Sequence, residues 1–434
     1  MFPLRSALSL LLCTALGLVS TRAHAQPARE DAARLERARG LLRQVPLIDG
    51  HNDLPWQFRE RVGNRLAALD LTQDGRKLEP PLHTDLRRLR EGGVGGVFWS
   101  VYVPADLEGG AAIQATLEQI DVVHRLVERY PQQLSLALTA DDVERAHRAS
   151  RVASLIGMEG GHSIGGSLGV LRQMYRAGAR YLTLTHSKNV PWAESATDAP
   201  MATPLTEQGR AVVREMNRLG MLVDLSHVSA RTMNAVLDLS QAPVIFSHSS
   251  TFALDPHPRN VPDEVLRRLS KNGGLVMVTF VPGFISDEVR KYSAEESAAA
   301  ERFKVLHAGN PDAAKAALTA WRSANPAPRA TLAQVADHID HVRKLAGIDS
   351  VGLGSDFDGI STTIQGLEGV ETYPALLAEL LRRGYSDEDV RKVAGKNLLR
   401  VMRQAEATAR RLQKERLAED PPAEAEKPVA GAGK

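Results

Sequence analysis

Eight short runs of apolar, β-branched residues recur along this chain, each followed by a stretch with helical, amphipathic spacing. The runs cover residues 45–49, 96–103, 153–158, 180–185, 221–225, 243–247, 274–281 and 350–354. Helical patterns occupy 112–130, 207–219, 230–239 and 262–271, and Thr206 and Ser229 stand where an N-cap belongs. Continuous apolar strands separated by helices read as a parallel sheet covered on both faces. Eight of them in one domain favour a closed (β/α)8 barrel of the TIM type over an open sheet. The stretch 282–347 is longer than one crossover helix. It holds Ala-rich helical segments and the break Asn325-Pro326-Ala327-Pro328, and is expected to be a helical insertion before the last strand.

The ends of the chain are expected to lie outside that fold. Arg5 precedes an apolar run from Ala7 to Val19, and the small-residue site Ala23-His24-Ala25 follows, which is the order of a secretory signal peptide over residues 1–25. The run is shorter than the about 20 apolar residues a membrane span needs. The only cysteine, Cys13, leaves with this leader, so the mature chain has neither a disulfide nor a thiol nucleophile. A periplasmic or secreted location is expected. Residues 26–415 are expected to form one domain. The Ala-, Glu-, Pro- and Gly-rich residues 416–434 are expected to be a disordered tail. Lys and Arg total 54 against 52 Asp and Glu, without a basic run, which argues against a nucleic-acid partner.

Unusual polar residues fall just after these runs. His51 and Asp53 follow the first, Glu159 the third, His186 the fourth, His227 the fifth, His248 the sixth and Asp356 the eighth. In a β/α barrel the C-terminal strand ends form one face, where active sites are built. Residues scattered over 300 positions therefore converge.

Each candidate has a plainer reading beside the chemical one. His51-Asn52-Asp53 places an imidazole and a carboxylate on one side of extended backbone, able to grip a cation, yet alone it is equally a polar turn. Glu159 at the end of an apolar strand needs a partner, either a metal or a loop arginine. Gly160 and Gly161 let the backbone turn closely there, and His162 is expected to orient the loop. His227 and His248, ending successive strands beside a carboxylate, suit zinc, with Ser226 and Ser249 as candidate partners of the rings. His338 and His341 share a helix face in the insertion and are assigned to surface or packing. Two divalent cations about 3.5–4 Å apart need anions between them, which Glu159 and a shared hydroxide would supply. No Gly-x-Ser-x-Gly elbow is present, so activated water is the expected nucleophile.

The segments IDGHNDLPW (48–56), GMEGGHS (157–163), YLTLTHSKNVPW (181–192), VDLSHVS (223–229), VIFSHS (244–249), RNVPDEVL (259–266) and VGLGSDFDG (351–359) resemble, in order, those of the membrane dipeptidase (renal dipeptidase) family of the amidohydrolase superfamily. The resemblance implies two zinc ions per chain, one on His51 and Asp53, the other on His227 and His248, with Glu159 bridging. It implies that His186 contacts the substrate carbonyl, that Arg259 holds the substrate's C-terminal carboxylate, and that Asp356 is the acid/base near the bridging water. It places Asp358 in a loop-orienting role.

The implied activity is hydrolysis of free dipeptides, L-D ones possible among them, by a bridging metal hydroxide. A homodimer is expected from the resemblance alone. Without a mature cysteine or a terminal hydrophobic segment, neither an inter-chain disulfide nor a membrane anchor is expected. Two other readings stand beside this one: an amidohydrolase acting on N-acyl amino acids, lactones or β-lactams, and a non-catalytic binder of peptides or zinc.

Overall fold

The structure, a computed structural model, describes residues 30–422. The expected signal peptide lies outside the described residues, as do residues 423–434. The described residues form nine strands: β1 (Leu47–Asn52), β2 (Val94–Ser100), β3 (Leu134–Leu136), β4 (Val152–Glu159), β5 (Ala179–Thr183), β6 (Leu222–Asp224), β7 (Ile245–Ser249), β8 (Leu275–Val278) and β9 (Val351–Leu353). All pairings among them are parallel, in the order β2-β1-β9-β8-β7-β6-β5-β4-β3, and a further pairing of β2 with β4 closes eight strands into a barrel. Every residue of β1, β2, β4 and β7 is buried. That two-sided burial is why these strands read as unbroken apolar runs.

The ninth strand, β3, is the one the sequence pattern misses. It has three residues, two of them only half-buried, and pairs with Val152–Ser154 along the edge of β4 that β5 takes over from Ile156 onward. Ile48, Phe98, Leu155, Tyr181, Leu222, Ile245 and Leu275 come from seven strands and belong to one buried cluster. They can meet only across the barrel interior, so its floor is packed side chain rather than a pore.

Two seams of the barrel are thin. β1 and β9 share a single paired position, Asp49 with Leu353, followed beyond β9 by one isolated bridge of Asn52 with Phe357, and β6 and β7 share only Asp224 with Ile245. The other closing pairs have three or more.

Helices cover the outside. Thr206 and Ser229 cap Glu207–Leu219 and Ala230–Leu237 by accepting from Gly209 N and Thr232 N. The region 282–347 holds four helices. The last, Leu332–Ala346, buries Val335, Ala336, Ile339 and Val342 and is the crossover to β9. Two before it, Asp287–Leu306 and Pro311–Ala324, bury no residue, so they are the insertion proper. Of the tail expected to be disordered from residue 416, the first residues are held: Arg416 donates to Arg214 O, and Glu419 pairs with Arg214 and accepts from Arg416. No helix among the described residues is long and apolar enough to cross a membrane.

Candidate active site

The C-terminal strand ends bring the scattered polar residues into one cluster. His51 comes from β1, Asp53 from the turn after it, Glu159 from the end of β4, His248 from β7, and His186, His227 and Asp356 from the loops after β5, β6 and β9. Glu159 sits between two groups. Its Oε1 lies 3.0 Å from His227 Nε2, 3.4 Å from His248 Nε2 and 3.7 Å from His186 Nε2. Its Oε2 faces His51 Nε2 at 3.6 Å and accepts from Ser100 Oγ at 3.2 Å. His51 Nε2 is in turn 3.3 Å from Asp53 Oδ2 and 3.9 Å from Asp356 Oδ1. Three sets of donor atoms are each close enough for one cation: His51, Glu159 and His248; Glu159, His186 and His227; His51, Asp53 and Asp356.

The donors fit divalent metal. His51 Nε2 is buried without a hydrogen-bond partner, although three carboxylates lie within 4 Å. His227 Nε2 and His248 Nε2 face each other at 3.0 Å. Burial holds both rings well below the ordinary imidazole range, hence neutral, with lone pairs to offer. Imidazole nitrogen and carboxylate oxygen around one point suit divalent transition metals. Glu159 presents one oxygen to each group.

Tight backbone makes this crowding possible. His227 and Asp356 adopt left-handed φ values of 70° and 68°, uncommon for residues with a side chain and concentrated at functional sites. A Cβ at Gly359 would stand 2.2 Å from Asp53 Oδ2 and 2.7 Å from Asp356 Oδ1, so only glycine lets that loop approach the two carboxylates.

Around the cluster lie the remaining candidates. Burial pushes the Asp356 carboxyl well above the usual range; the His51 charge opposes this, while the charges of Asp53 and Glu159 add to it. Burial lowers His186, which Glu159 partly offsets. Its ring centroid is 4.3 Å from that of His227 and 5.1 Å from that of Tyr102. Arg259 is 3% exposed and, among the described residues, has no carboxylate within salt-bridge distance. It makes long contacts to Ser249 Oγ and His248 O, and its Nε has no partner. Burial brings its pKa down to about 10, with Asp356 pulling the other way. Asp358 accepts from His83 N at 2.7 Å and so ties its loop to that of His83, while His162 Nε2 lies 3.2 Å from Val103 O.

Several residues at the site carried no sequence signal of their own. Tyr102 and Trp56 stack edge to face beside His186. Tyr181 places its hydroxyl 2.8 Å from His51 Nδ1. The hydroxyl at the ring of His248 is Ser247, 2.8 Å from Nδ1. Ser226 and Ser249, expected to orient the rings, instead lie 3.2 Å from each other, and Ser226 Oγ accepts from His248 N. His338 is buried packing, and His341 pairs with Asp263.

A closed β/α barrel with a buried imidazole–carboxylate cluster at its strand ends defines the class of barrel metallohydrolases. The family model described as membrane dipeptidase (Peptidase family M19) matches residues 35–416, and the chain belongs to that family. A relative, the dipeptidase verJ of Clonostachys rogersoniana, is 42% identical over 390 residues, 87% of this chain and 89% of that protein. Among solved structures, the probable dipeptidase PvdM from Pseudomonas aeruginosa shares the fold, with a TM-score of 0.75 at 24% identity, covering 87% of this chain and 100% of that one. A metallo peptidase from Rhodobacter sphaeroides, liganded with a phosphinate mimic of the dipeptide L-Ala-D-Ala, has a TM-score of 0.68 at 26% identity, covering 83% and 99%.

Proposed function

We propose that the chain is a zinc-dependent dipeptidase that cleaves free dipeptides, including those with a D-residue at the C-terminal position. The observation that carries this reading is Arg259: a buried guanidinium, unpaired by any described carboxylate, set beside a metal-type donor cluster. An unpaired buried cation is costly, and the free carboxylate of a short peptide is its natural counter-ion. The phosphinate mimic of L-Ala-D-Ala held by the Rhodobacter relative supports the D-residue.

His51 and Asp53 would hold one zinc ion and His227 and His248 a second, with Glu159 between them. When bound, the pair supplies Lewis acidity and lowers the pKa of water, so that hydroxide rather than a side chain is the nucleophile. Arg259 fixes the substrate carboxylate and with it the distance to the scissile bond. His186, kept neutral by burial, donates an N–H toward the carbonyl oxygen as negative charge develops on it. Asp356 receives the proton from the attacking water and passes it to the leaving amine.

The reading extends to an exported, periplasmic or secreted enzyme, from the leader-like residues 1–25, and to a homodimer. N-acyl amino acids present the same carboxylate to Arg259, so substrates must separate the two amide classes. The deciding experiment offers purified protein L-L and L-D dipeptides, their amidated forms, a tripeptide and an N-acyl amino acid, with bound metal counted in the same sample. Cleavage of free dipeptides, lost on chelation, with about two zinc ions per chain is expected. A fully metallated sample that leaves every dipeptide intact overturns the reading.

A further inference from the structure

Asp224, at the end of β6, is fully buried and belongs to none of the donor sets. Its four hydrogen bonds are nevertheless placed around the site. Oδ1 accepts from Ser226 N at 3.1 Å and Ser247 N at 2.8 Å. Oδ2 accepts from Ser247 Oγ at 2.6 Å and Thr183 Oγ1 at 2.5 Å. A carboxylate can only accept, so the single hydroxyl proton of Ser247 is committed to Asp224. Ser247 Oγ also lies 2.8 Å from His248 Nδ1 and has only acceptor capacity left. The ring proton of His248 must therefore sit on Nδ1. Nε2 is left with its lone pair, aimed where Glu159 Oε1 and His227 Nε2 converge.

We propose that Asp224, acting through Ser247, is the positioning residue for the His248 imidazole and sets how tightly the metal held by His227 and His248 is bound. The proposal rests on the metal-centre reading above. The three imidazoles of that centre are backed unequally. His51 Nδ1 meets a neutral phenol, that of Tyr181, and His227 Nδ1 has no partner among the described residues. Among the described residues, only His248 is backed by a carboxylate, through one hydroxyl. Such backing fixes ring orientation and raises ligand basicity. A similar pair, Asp49 and Ser355, stops at the backbone: Ser355 Oγ turns to His51 O and Phe357 N and touches no ring. The ring-setting function is thus peculiar to the β6–β7 side.

The test is a zinc competition titration of the full chain against a chromophoric chelator, paired with the electronic spectrum of the cobalt-loaded protein. Ser247→Ala should weaken one of two sites about 10- to 100-fold and shift part of the cobalt spectrum, leaving the other site unchanged. Thr183→Val, which removes the other hydroxyl on Asp224 but leaves the relay intact, should leave both affinities as in wild type. Equal weakening by the two variants, or none by Ser247→Ala, overturns the relay while the metal centre stands. A wild-type chain that binds no metal overturns the centre and the relay together. In the metal-free wild-type protein, ring-nitrogen NMR should find the His248 proton on Nδ1, and finding it on Nε2 would refute the proposal without any variant.

Discussion

Asp49 and Asp224 stand four strands apart in either direction around the barrel, and each bridges one of its two thinnest seams. Each sends Oδ1 to a backbone N–H of the neighbouring strand end, Ser355 for Asp49 and Ser247 for Asp224, and Oδ2 to the hydroxyl of the same serine. Where the ladder offers a single paired position, a side-chain carboxylate supplies the acceptors that strand carbonyls provide elsewhere. Both seams adjoin the candidate metal ligands, so the clips hold the site and the barrel closed together.

Removing the first clip should cost stability. Asp49→Ala would leave Ser355 N and the Tyr373 hydroxyl without their buried acceptor, and Ser355 Oγ with only its longer contact to His51 O. The expected loss is about 4 kcal/mol, read from urea unfolding of the metal-free protein. A loss under about 1 kcal/mol would mean that water or relaxation replaces the clip.

Asp356→Asn keeps the shape of the side chain but cannot carry the proton. Turnover should fall about 10²- to 10⁴-fold with the metal content retained. Near-normal kcat would remove Asp356 from the proton path.

Arg259→Ala should act on substrates according to their carboxylate. For free dipeptides kcat/KM is expected to drop roughly a hundredfold, mostly through KM, whereas amidated dipeptides should suffer little further loss. If both classes respond alike, Arg259 serves the fold rather than the substrate.

Gly359→Ala tests the crowding of the two carboxylates. The added methyl should displace Asp53 and Asp356, lowering metal affinity about 10- to 100-fold. Chelator-treated variant and wild type should melt together, because the clash lies within the site. A variant that keeps full metal content would show that the loop yields.

His338 predicts a pH dependence of stability. Its Nδ1 accepts from Thr251 N at 3.1 Å and its Nε2 donates to Ile285 O at 3.1 Å, so only the neutral ring satisfies both. Burial lowers its pKa from 6.5 to about 4. Between those values the unfolded chain binds the proton and the folded chain does not. Stability is therefore lost as pH falls from 6.5 toward 4, by about 3 kcal/mol in all. His338→Gln should be the less stable protein at pH 7, with the gap narrowing toward pH 4 in unfolding titrations. A gap independent of pH would show that the ring does not titrate on unfolding.

The eight barrel strands and the polar residues that meet at their ends were legible in sequence for one shared reason. A strand buried on both faces is an unbroken apolar run, and a carboxylate or imidazole at its end is conspicuous. What the sequence hid depends on neighbours across strands. Ser247 meets Asp224 only through the pairing of β6 with β7, and Tyr181 reaches His51 only across the barrel interior. Ser226 and Ser249 carried the same local signal as Ser247, and register alone separates them. β3 escaped because three residues on an edge hold too little pattern to read.

The single paired position between β1 and β9 also has a consequence in time. A ribosome releases the first strand, with His51 and Asp53, some 300 residues before it releases Ser355 and Asp356. Until then the opening strand has no second neighbour and the centre lacks a wall. Joining the two ends is a long-range step, of the kind that slows folding most. Tight metal capture would thus mark the moment when the last strand has docked, and a truncated or stalled chain should remain metal-poor however well its earlier strands have paired.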